Sequence, residues 1–586
     1  MNILARLSAL RSFMSAHEID AFIVPSSDPH MSEYVADHWK SREWISGFTG
    51  SAGTILITQN YAGLWTDSRY FIQAKKELKG TGIELNKIID RSSLGYSQWI
   101  YKNLPEGSIV GLDGFLFSEK NIHKMESLFA ENNIKLVCTI EPFHEIWEDR
   151  TKAPTEEMFV LPNKFSGKSF QEKLKDLQKH LFLNNSEAIL FTALDEIAWL
   201  LNIRSSDIKF NPVPICYFLM TVNENILFVD DRKIERCKDY FAENKIQIKP
   251  YHSILDHLVS NNNEILVDPN SCNSKLFRAL NRKLIKEKTS FVIWEKAVKN
   301  KIEIEGFRKA MIKDGVALCK VYHWLESNLD NQVTEYEFGL KIAEFRSEQE
   351  YYFGESFNPI IGNNGNGAII HYKAKKSESA IIGPDSYLLC DSGAQFKDGT
   401  TDITRSFAFG EPSEEYKKAY SLVLAGHIDL ALATYPMGTK GVQLDLLARK
   451  ALWDHQMDYP HGTGHGVGSF LNVHEEPQGF APGNSVRGNA SLVPGMITSN
   501  EPGYYKPNEF GIRIENLVLS KKLGDDFINH ETITLYPIQK KSIDLTFLSQ
   551  KQIDWLNDYH QKVWDKLSPH LDKDLQEWLY PQCQSF

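Results

Sequence analysis

The chain has 586 residues, of which 42% are hydrophobic and 24% are charged, and its formal net charge at pH 7 is -11. This length exceeds what one hydrophobic core comfortably fills, so we expect about two to four domains. The acidic balance disfavours a nucleic-acid-binding protein, which usually has a basic surplus, and the apolar runs are too short to cross a membrane.

The N-terminal segment MNILARLSALRSFMSAHEIDAFIVP predicts an amphipathic helix that leads into a strand. Polar residues interrupt its apolar runs, which is not typical of a secretory signal peptide. The seven cysteines are scattered without a CxxC pair, and this pattern favours free thiols in a reducing compartment. We therefore expect a cytoplasmic protein.

Two segments of the N-terminal half resemble one another. The first contains DAFIVPSSDPH, REWISGFTG and AGLWTDSRY, and the second contains EAILFTALDEIAWLLNIR, VPICYFLM and NILFVDDRK. Each has an apolar strand, an acidic residue, a tryptophan and strand pairs that end near an Asp-Arg element. They predict two copies of one α/β module, at residues 1–150 and 151–295. The alternative is a chance likeness between two generic α/β patterns.

A third domain is predicted at residues 296–586. It opens with EKAVKNKIEIEGFRKAMIKDGVALCKVYHWLE, whose apolar residues recur at helical spacing and predict a long amphipathic helix. Helices and strands then mix, and FLSQKQIDWLNDYHQKVWDKLSPHL predicts a C-terminal helix with a tryptophan-rich face. Packing in the core is the simplest use of that face, and a subunit interface is the alternative.

Two acidic stretches of the third domain share one pattern. YLLCDSGAQFKDGTTDITRSFAF carries Asp391 and Asp402, and ITSNEPGYYKPNEFGIRIENLVL carries Glu501 and Glu515. In each, an apolar run ends in a carboxylate, a turn with glycine follows, and a second strand bears another carboxylate. Facing strands of a hairpin approach to about 5 Å, so each hairpin can present two carboxylates at one point.

Four carboxylates brought together would repel one another unless cations neutralise them. With one imidazole they suit two divalent cations that share bridging carboxylates. Oxygen-rich ligation of this kind favours Mn²⁺, Co²⁺ or a similar ion over a structural zinc site. For any one of these acids alone, a solvated turn is the alternative.

The stretch PHGTGHGVGSFLNVHEEP, residues 460–477, can supply the imidazole. His461 and His465 are four residues apart, as in a zinc-binding helix, but the four glycines of GTGHGVG would each cost about 1 kcal/mol in a helix. In an extended segment, His461, Thr463 and His465 share one side, and the glycines let another backbone approach. The alternative is a glycine-rich surface loop without a chemical role.

The motifs CDSGAQFKDGTTDITR, HGTGHGVGSFLNVHE, NEPGYY and GIRIEN resemble those of the pita-bread metallopeptidases, peptidase family M24. With WISGFTGSAGT and the chain length, they resemble the long three-domain form of aminopeptidase P, the Xaa-Pro aminopeptidases. The resemblance implies two creatinase-like N-terminal α/β domains, a C-terminal pita-bread catalytic domain with a helical extension, and two Mn²⁺ ions. The metal ligands it implies are Asp391, Asp402, His465, Glu501 and Glu515, with Asp402 and Glu515 bridging. The catalytic and substrate-binding residues it implies are His371, His461, His474, Glu501 and Arg513.

The implied reaction removes the N-terminal residue from peptides with proline at the second position. A water that bridges two cations loses a proton near neutral pH and can attack the peptide carbonyl as hydroxide. Glu501 is expected to carry the proton to the leaving amine, and His474 to stabilise the oxyanion. His371 is expected to orient the peptide, although a satisfied core histidine is the alternative, and His461 to form a wall of the proline pocket.

Three rival functions share parts of this pattern. A prolidase has the same fold and ligands but hydrolyses only dipeptides, and the second N-terminal module favours the aminopeptidase. A metal-free creatinase-like hydrolase would lack the carboxylates, and a non-catalytic pita-bread binding module should have lost ligands. One departure from the family is Glu476, where we expect glycine, at the mouth of the site. The expected partners are proline-containing peptides and a second copy of the chain in a homodimer, without nucleic acid or membrane.

Overall fold

The structure is a computed structural model that describes residues 1–89, 94–483 and 485–586. The chain forms two compact units. The first comprises Met1–Pro162 and Lys168–Val292, and the second comprises Asn163–Gly167 and Ile293–Phe586. Within the described ranges, every helix is too short or too polar to span a membrane.

The first unit contains two six-stranded sheets in its described part. The strands of the first sheet, in order across it, are Glu84–Lys87, Ala62–Thr66, Thr54–Thr58, Ala21–Pro25, Ile109–Gly111 and Lys135–Val137. Its helices are Ile3–Ala16, Ser41–Ser46, Phe71–Glu77, Gly95–Asn103, Glu119–Phe129 and Phe143–Ile146. The predicted N-terminal helix and strand are confirmed, and the strand AFIVP is buried at every residue because it lies inside the sheet.

The second sheet repeats the first. Its strands, in order, are Ile246–Pro250, Asn225–Val229, Tyr217–Thr221, Ala188–Phe191, Ile265–Val267 and Ile285–Glu287. In both sheets the earliest strand pairs antiparallel with one neighbour and parallel with the other. The helices of this module are Phe170–Leu183, Leu194–Leu200, Lys238–Glu243, Ile254–Val259 and Ser274–Ala279. The repeated α/β module is therefore confirmed in strand order and direction, whereas the boundaries at residues 150 and 295 stay predictions.

The long helix of the second unit begins later than predicted. Helical spacing from residue 295 predicts one helix, but the structure has Val292–Ala297 and then Lys301–Glu326. The Asn300 side chain accepts hydrogen bonds from the backbone N–H groups of Ile302 and Glu303, and the Glu303 side chain accepts from the Asn300 N–H. This reciprocal capping box fixes the helix start at Lys301, so apolar periodicity alone is wrong about where the helix begins.

The remaining elements of the second unit surround one large apolar core. Its strands are Tyr352–Glu355, Ile360–Asn363, Tyr387–Ser392, Ala394–Phe396, Gly399–Thr400, Ile403–Ala408, Thr434–Pro436, Ile497–Asn500, Gly503–Lys506, Phe510–Arg513, Asn516–Leu523 and Phe527–Thr532. Its longer helices are Glu335–Ser347, Glu414–Ala431, Gly441–Trp453, Gln550–Leu567 and Lys573–Cys583. Trp555 and Trp564 of the C-terminal helix pack against the core, which confirms core packing for that face.

Candidate metal centre

The first acidic stretch folds as the predicted hairpin. Strand Tyr387–Ser392 pairs antiparallel with Ile403–Ala408, and Asp391 faces Thr404 across the ladder. Asp402 directly precedes the second strand, so both carboxylates lie at the same end of the hairpin. Asp391 is 7% exposed and Asp402 is 4% exposed.

The second acidic stretch forms a matching hairpin. The last residue of strand Ile497–Asn500 faces the first residue of Asn516–Leu523. Glu501 and Glu515 are therefore the next residues beyond the end of this ladder, one on each strand. The prediction that each stretch brings two carboxylates together is confirmed in both hairpins.

The glycine-rich stretch runs extended beside the second hairpin. Ser499 N–H donates to the His465 carbonyl at 2.8 Å, and Glu501 N–H donates to the Thr463 carbonyl at 2.8 Å. A Cβ atom on Gly464 would lie 1.8 Å from the Ser499 carbonyl oxygen. The segment is not a zinc helix, and a glycine is required because the two backbones touch there.

Three of the predicted ligands form a tight, buried cluster. One ligand atom each from Asp402, His465 and Glu515 lies within 4.8 Å of the others. His465 Nε2 is 3.5 Å from Asp402 Oδ2 and 3.4 Å from Glu501 Oε1. Among the side chains of Asp402, His465, Glu515 and Glu501, that of Glu501 is the most exposed, with 17% of its surface accessible to solvent.

The fifth predicted ligand, Asp391, is held by an arginine. Arg513 Nη2 lies 2.8 Å from Asp391 Oδ2. Arg513 also donates to Tyr505 Oη at 2.6 Å and to Thr404 Oγ1 at 3.2 Å. The sequence identified this arginine by resemblance alone, and the structure shows that it fixes one predicted ligand.

Burial and mutual repulsion raise the pKa values of Asp402, Glu515 and Glu501. Burial, followed by the charges of Glu515 and Asp391, holds the pKa of Asp402 well above its usual value. Burial, followed by Glu501 and Asp391, likewise raises the pKa of Glu515. Burial raises the pKa of Glu501 to about 7, against the opposing effect of Arg513. These carboxylates are costly to ionise together unless a cation joins them.

Divalent cations fit this set of donors. Asp391 Oδ1 is buried and accepts no hydrogen bond from any described residue. Carboxylate oxygens with one imidazole nitrogen suit Mn²⁺ and similar divalent ions. Cations bound here would both satisfy the unpartnered oxygen and neutralise the repulsion among the acids.

His461 lies beside a tyrosine that sequence reasoning missed. His461 Nε2 is 2.8 Å from Tyr505 Oη, and His461 Nδ1 is 2.8 Å from the Gly462 carbonyl oxygen. Thr463 contacts Tyr459 through its hydroxyl, the tyrosine whose ring lies 4.9 Å from that of His461, and it donates to Asp445 at 2.6 Å. Tyr505 lies in the motif NEPGYY, which gave no reason to single out the second tyrosine.

The other two predicted histidines lie around the same cluster. The His474 ring packs edge-on against the His465 ring, with their centroids 4.3 Å apart. His371 follows Ile370, whose carbonyl oxygen accepts a hydrogen bond from Arg513 Nη2 at 3.4 Å. Both histidines are half-buried.

A buried ion cluster behind His474 also escaped the sequence analysis. Glu475 forms ion pairs with Lys299 and Lys296, and all three side chains are at most 2% exposed. Glu475 N–H donates to the Gly466 carbonyl at 2.7 Å. This backbone hydrogen bond joins the chain beside His474 to the chain beside the predicted ligand His465. Glu476, the departure from the family pattern, is exposed.

Family models match nearly the whole chain. The model of metallopeptidase family M24 matches residues 305–522, and that of the C-terminal region of peptidase M24 matches residues 526–586. Two models of the creatinase/prolidase N-terminal domain match residues 6–144 and 149–303.

Relatives match over the full length. A protein of Laccaria bicolor named "Probable Xaa-Pro aminopeptidase P" is 40% identical over 614 residues, which cover 100% of this chain and 94% of the relative. Aminopeptidase P2 of Arabidopsis thaliana is 39% identical and covers 98% of this chain and 87% of the relative. The crystal structure of X-prolyl aminopeptidase from Caenorhabditis elegans, described as a cytosolic enzyme with a di-nuclear active site, is 32% identical. It superposes with a TM-score of 0.96 over 100% of both chains.

The fold and the matched models define a metallopeptidase of family M24 with two creatinase-like N-terminal domains and a C-terminal pita-bread domain. Within that family the chain belongs to the three-domain aminopeptidase P group. The fold class and the resemblance stated from the sequence are confirmed.

Proposed function

We propose that the protein is a metal-dependent aminopeptidase that removes the N-terminal residue from peptides with proline at the second position. The observation that carries the proposal is the buried cluster of Asp402, His465 and Glu515 within 4.8 Å. It lies in a chain that matches Xaa-Pro aminopeptidases over its full length. A binding module without catalysis would have no need to keep such a costly set of buried acids.

The residues proposed to hold two divalent cations are Asp391, Asp402, His465, Glu501 and Glu515, with Asp402 and Glu515 shared between the ions. When bound, two such ions supply Lewis acidity and a water acidic enough to act as a hydroxide nucleophile. The proposed native ion is Mn²⁺, because the donors are mainly oxygen. Arg513 would keep Asp391 oriented, since it already holds one oxygen of that carboxylate.

Glu501 is proposed to move the proton of the reaction. It lies at the edge of the cluster, and its side chain is more exposed than those of Asp402 and His465. A carboxylate in that place can accept a proton from water and deliver it to the leaving amine. His474, whose ring packs on that of His465, is proposed to donate a hydrogen bond to the oxyanion that develops on the peptide carbonyl.

His461 and His371 are proposed to bind the substrate. A peptide bond that precedes proline has no N–H group, so the site has to recognise ring shape and carbonyl oxygens instead. His461 is fixed by Tyr505, which also accepts a hydrogen bond from Arg513. A rigid wall of this kind suits a proline ring. His371, which follows the residue whose carbonyl contacts Arg513, is proposed to orient the scissile peptide.

The cellular setting is also a proposal. We infer a cytoplasmic homodimer that acts on proline-containing peptides. The scattered cysteines support the compartment, as does the cytosolic description of the similar Caenorhabditis elegans enzyme.

Peptide length and sequence test the proposed activity. The protein should cleave the Arg-Pro bond of Arg-Pro-Pro and leave the matched peptide Arg-Ala-Pro intact. Cleavage of the dipeptide Arg-Pro without cleavage of Arg-Pro-Pro would show that the protein is a prolidase. Binding of Arg-Pro-Pro without cleavage in the presence of Mn²⁺ would show a non-catalytic module.

A further inference from the structure

A buried arginine joins both acidic hairpins to the C-terminal helix. Arg405 lies on strand Ile403–Ala408, one residue beyond Thr404, and is 1% exposed. Its Nη1 donates to the carbonyl oxygens of Glu515 at 2.7 Å and Thr404 at 3.0 Å. Thr404 in turn donates from Oγ1 to Glu515 Oε2 at 2.7 Å. The arginine therefore fixes the backbone of Glu515 while its neighbour fixes the carboxylate.

The other donors of Arg405 reach the C-terminal region. Nη2 donates to Tyr559 Oη at 2.8 Å and to the Tyr536 carbonyl at 2.6 Å, and Nε donates to the Pro537 carbonyl at 3.0 Å. Tyr559 lies on helix Gln550–Leu567 and is 4% exposed, and its hydroxyl donates to the Tyr536 carbonyl at 2.8 Å. All these acceptors are neutral, so the charge of the guanidinium is stabilised by a shell of fixed dipoles.

The same hydrogen-bond network also reaches Asn516 and Asn500, which are the sequence neighbours of Glu515 and Glu501. Arg405 Nη2 also donates to Asn516 Oδ1 at 2.9 Å, and Asn516 Nδ2 lies 3.0 Å from His427 Nε2. His427 Nδ1 donates to the Asn500 carbonyl at 3.1 Å, and Asn500 Nδ2 donates back to the His427 carbonyl at 2.8 Å. Burial lowers the pKa of His427 to about 3, so the ring is neutral and can serve as donor and acceptor.

We propose that Arg405 is a positioning residue for the metal ligands Glu515 and Glu501, and that Tyr559 of the C-terminal region holds Arg405 in place. Asn516 directly follows Glu515, and Asn500 directly precedes Glu501. A shift of the guanidinium would therefore move both ligand-bearing backbones together. The region after residue 526 would then serve metal binding as well as core packing. This proposal rests on the proposed metal centre.

Metal binding by matched variants tests the proposal. The measurements are the Mn²⁺ dissociation constant from calorimetric titration of chelated full-length protein and the d–d absorption spectrum of the Co²⁺-loaded form. Arg405→Lys keeps the charge but cannot hold all of these oxygens, and we expect metal affinity to fall roughly 10–100-fold with a changed spectrum. Tyr559→Phe removes one hydroxyl, and we expect a smaller loss, at the lower end of that range and roughly 10-fold.

Tyr536→Phe is the matched control. Tyr536 is buried beside the same arginine, and its own hydroxyl has no hydrogen-bond partner among the described residues. Its loss should leave affinity and spectrum unchanged. A purely structural role would lower the melting temperature of Tyr559→Phe without changing either metal readout.

The outcomes separate this proposal from the one on which it rests. If folded Arg405→Lys has the metal affinity and the Co²⁺ spectrum of the wild type, the positioning role of Arg405 is refuted. If Arg405→Lys does not fold, unchanged metal binding in Tyr559→Phe overturns it, as does an equal loss in Tyr536→Phe. A wild-type protein that binds no Mn²⁺ would instead refute the proposed metal centre.

Discussion

The buried cluster of Glu475, Lys296 and Lys299 makes a sharp prediction about stability. Replacing Glu475 by Gln leaves two lysine ammonium groups, at most 2% exposed, without their shared carboxylate. Removing one partner of a buried ion pair costs about 3–5 kcal/mol, because the remaining charge stays out of water. We therefore expect Glu475→Gln to destabilise the second unit strongly.

The size of the effect follows from the size of the unit, which has about 300 residues. Unfolding entropy of about 2.1 cal/mol/K per residue gives roughly 0.6 kcal/mol/K, so the melting temperature should fall by about 5–8 °C. Differential scanning calorimetry of the full chain, followed at the transition of this unit, measures the change. A fall of less than about 1 °C would refute the reasoning.

Two further variants separate charge burial from other causes. Glu476→Gln makes the same chemical change one residue later at an exposed position, and it should stay within about 0.5 kcal/mol of wild type. The triple variant Lys296→Met, Lys299→Met and Glu475→Leu removes all three charges of the cluster. It should lose much less stability than Glu475→Gln, because an apolar replacement of a whole buried ion cluster is often close to neutral.

Three other predictions concern the site and the first unit. Asp391→Asn and Glu515→Gln should each abolish activity and lower metal content, as measured by atomic absorption, while the circular dichroism spectrum stays native. His465→Ala should lose metal and activity together. His461→Ala should keep its metal but have a lower kcat/KM, which corresponds to a loss of about 2–4 kcal/mol in transition-state stabilisation. The reverse pattern would show that the register of the motif is misread. Burial lowers the pKa of His30 to about 4 from the unfolded value of 6.5, so its neutral form stabilises the fold above pH 6.5 and this stability is lost as the pH falls toward 4. Denaturant titrations should show that His30→Gln removes up to about 3 kcal/mol of that pH dependence, and an unchanged pH profile would contradict the prediction.

Local pattern was sufficient to predict the two acidic hairpins. A strand that ends in Asp391 or just before Glu501, followed by a turn and a second strand with apolar residues, leaves few other ways to bury both strands. The glycines beside His465 likewise exclude a helix on energetic grounds. The choice of His465 over His461 as the ligand came from family resemblance, because spacing alone treats the two alike.

Long-range pairing could not be predicted from the sequence. Glu475 is separated from Lys299 by 176 residues, and nothing near either residue indicates the other. Tyr505, Arg405 and Tyr559 look like ordinary strand or helix residues until the chain folds. The start of the long helix was also missed, because the capping residue Asn300 competes with an apolar pattern that continues across it.

Restoration of activity by metal tests the central claim most directly. Protein stripped by a chelator should not cleave Arg-Pro-Pro, and stepwise addition of Mn²⁺ should restore cleavage with saturation at about two equivalents per chain, as expected of a two-metal site. Full cleavage by the stripped protein, or no cleavage at any Mn²⁺ concentration, would contradict the proposal of a two-metal Xaa-Pro aminopeptidase.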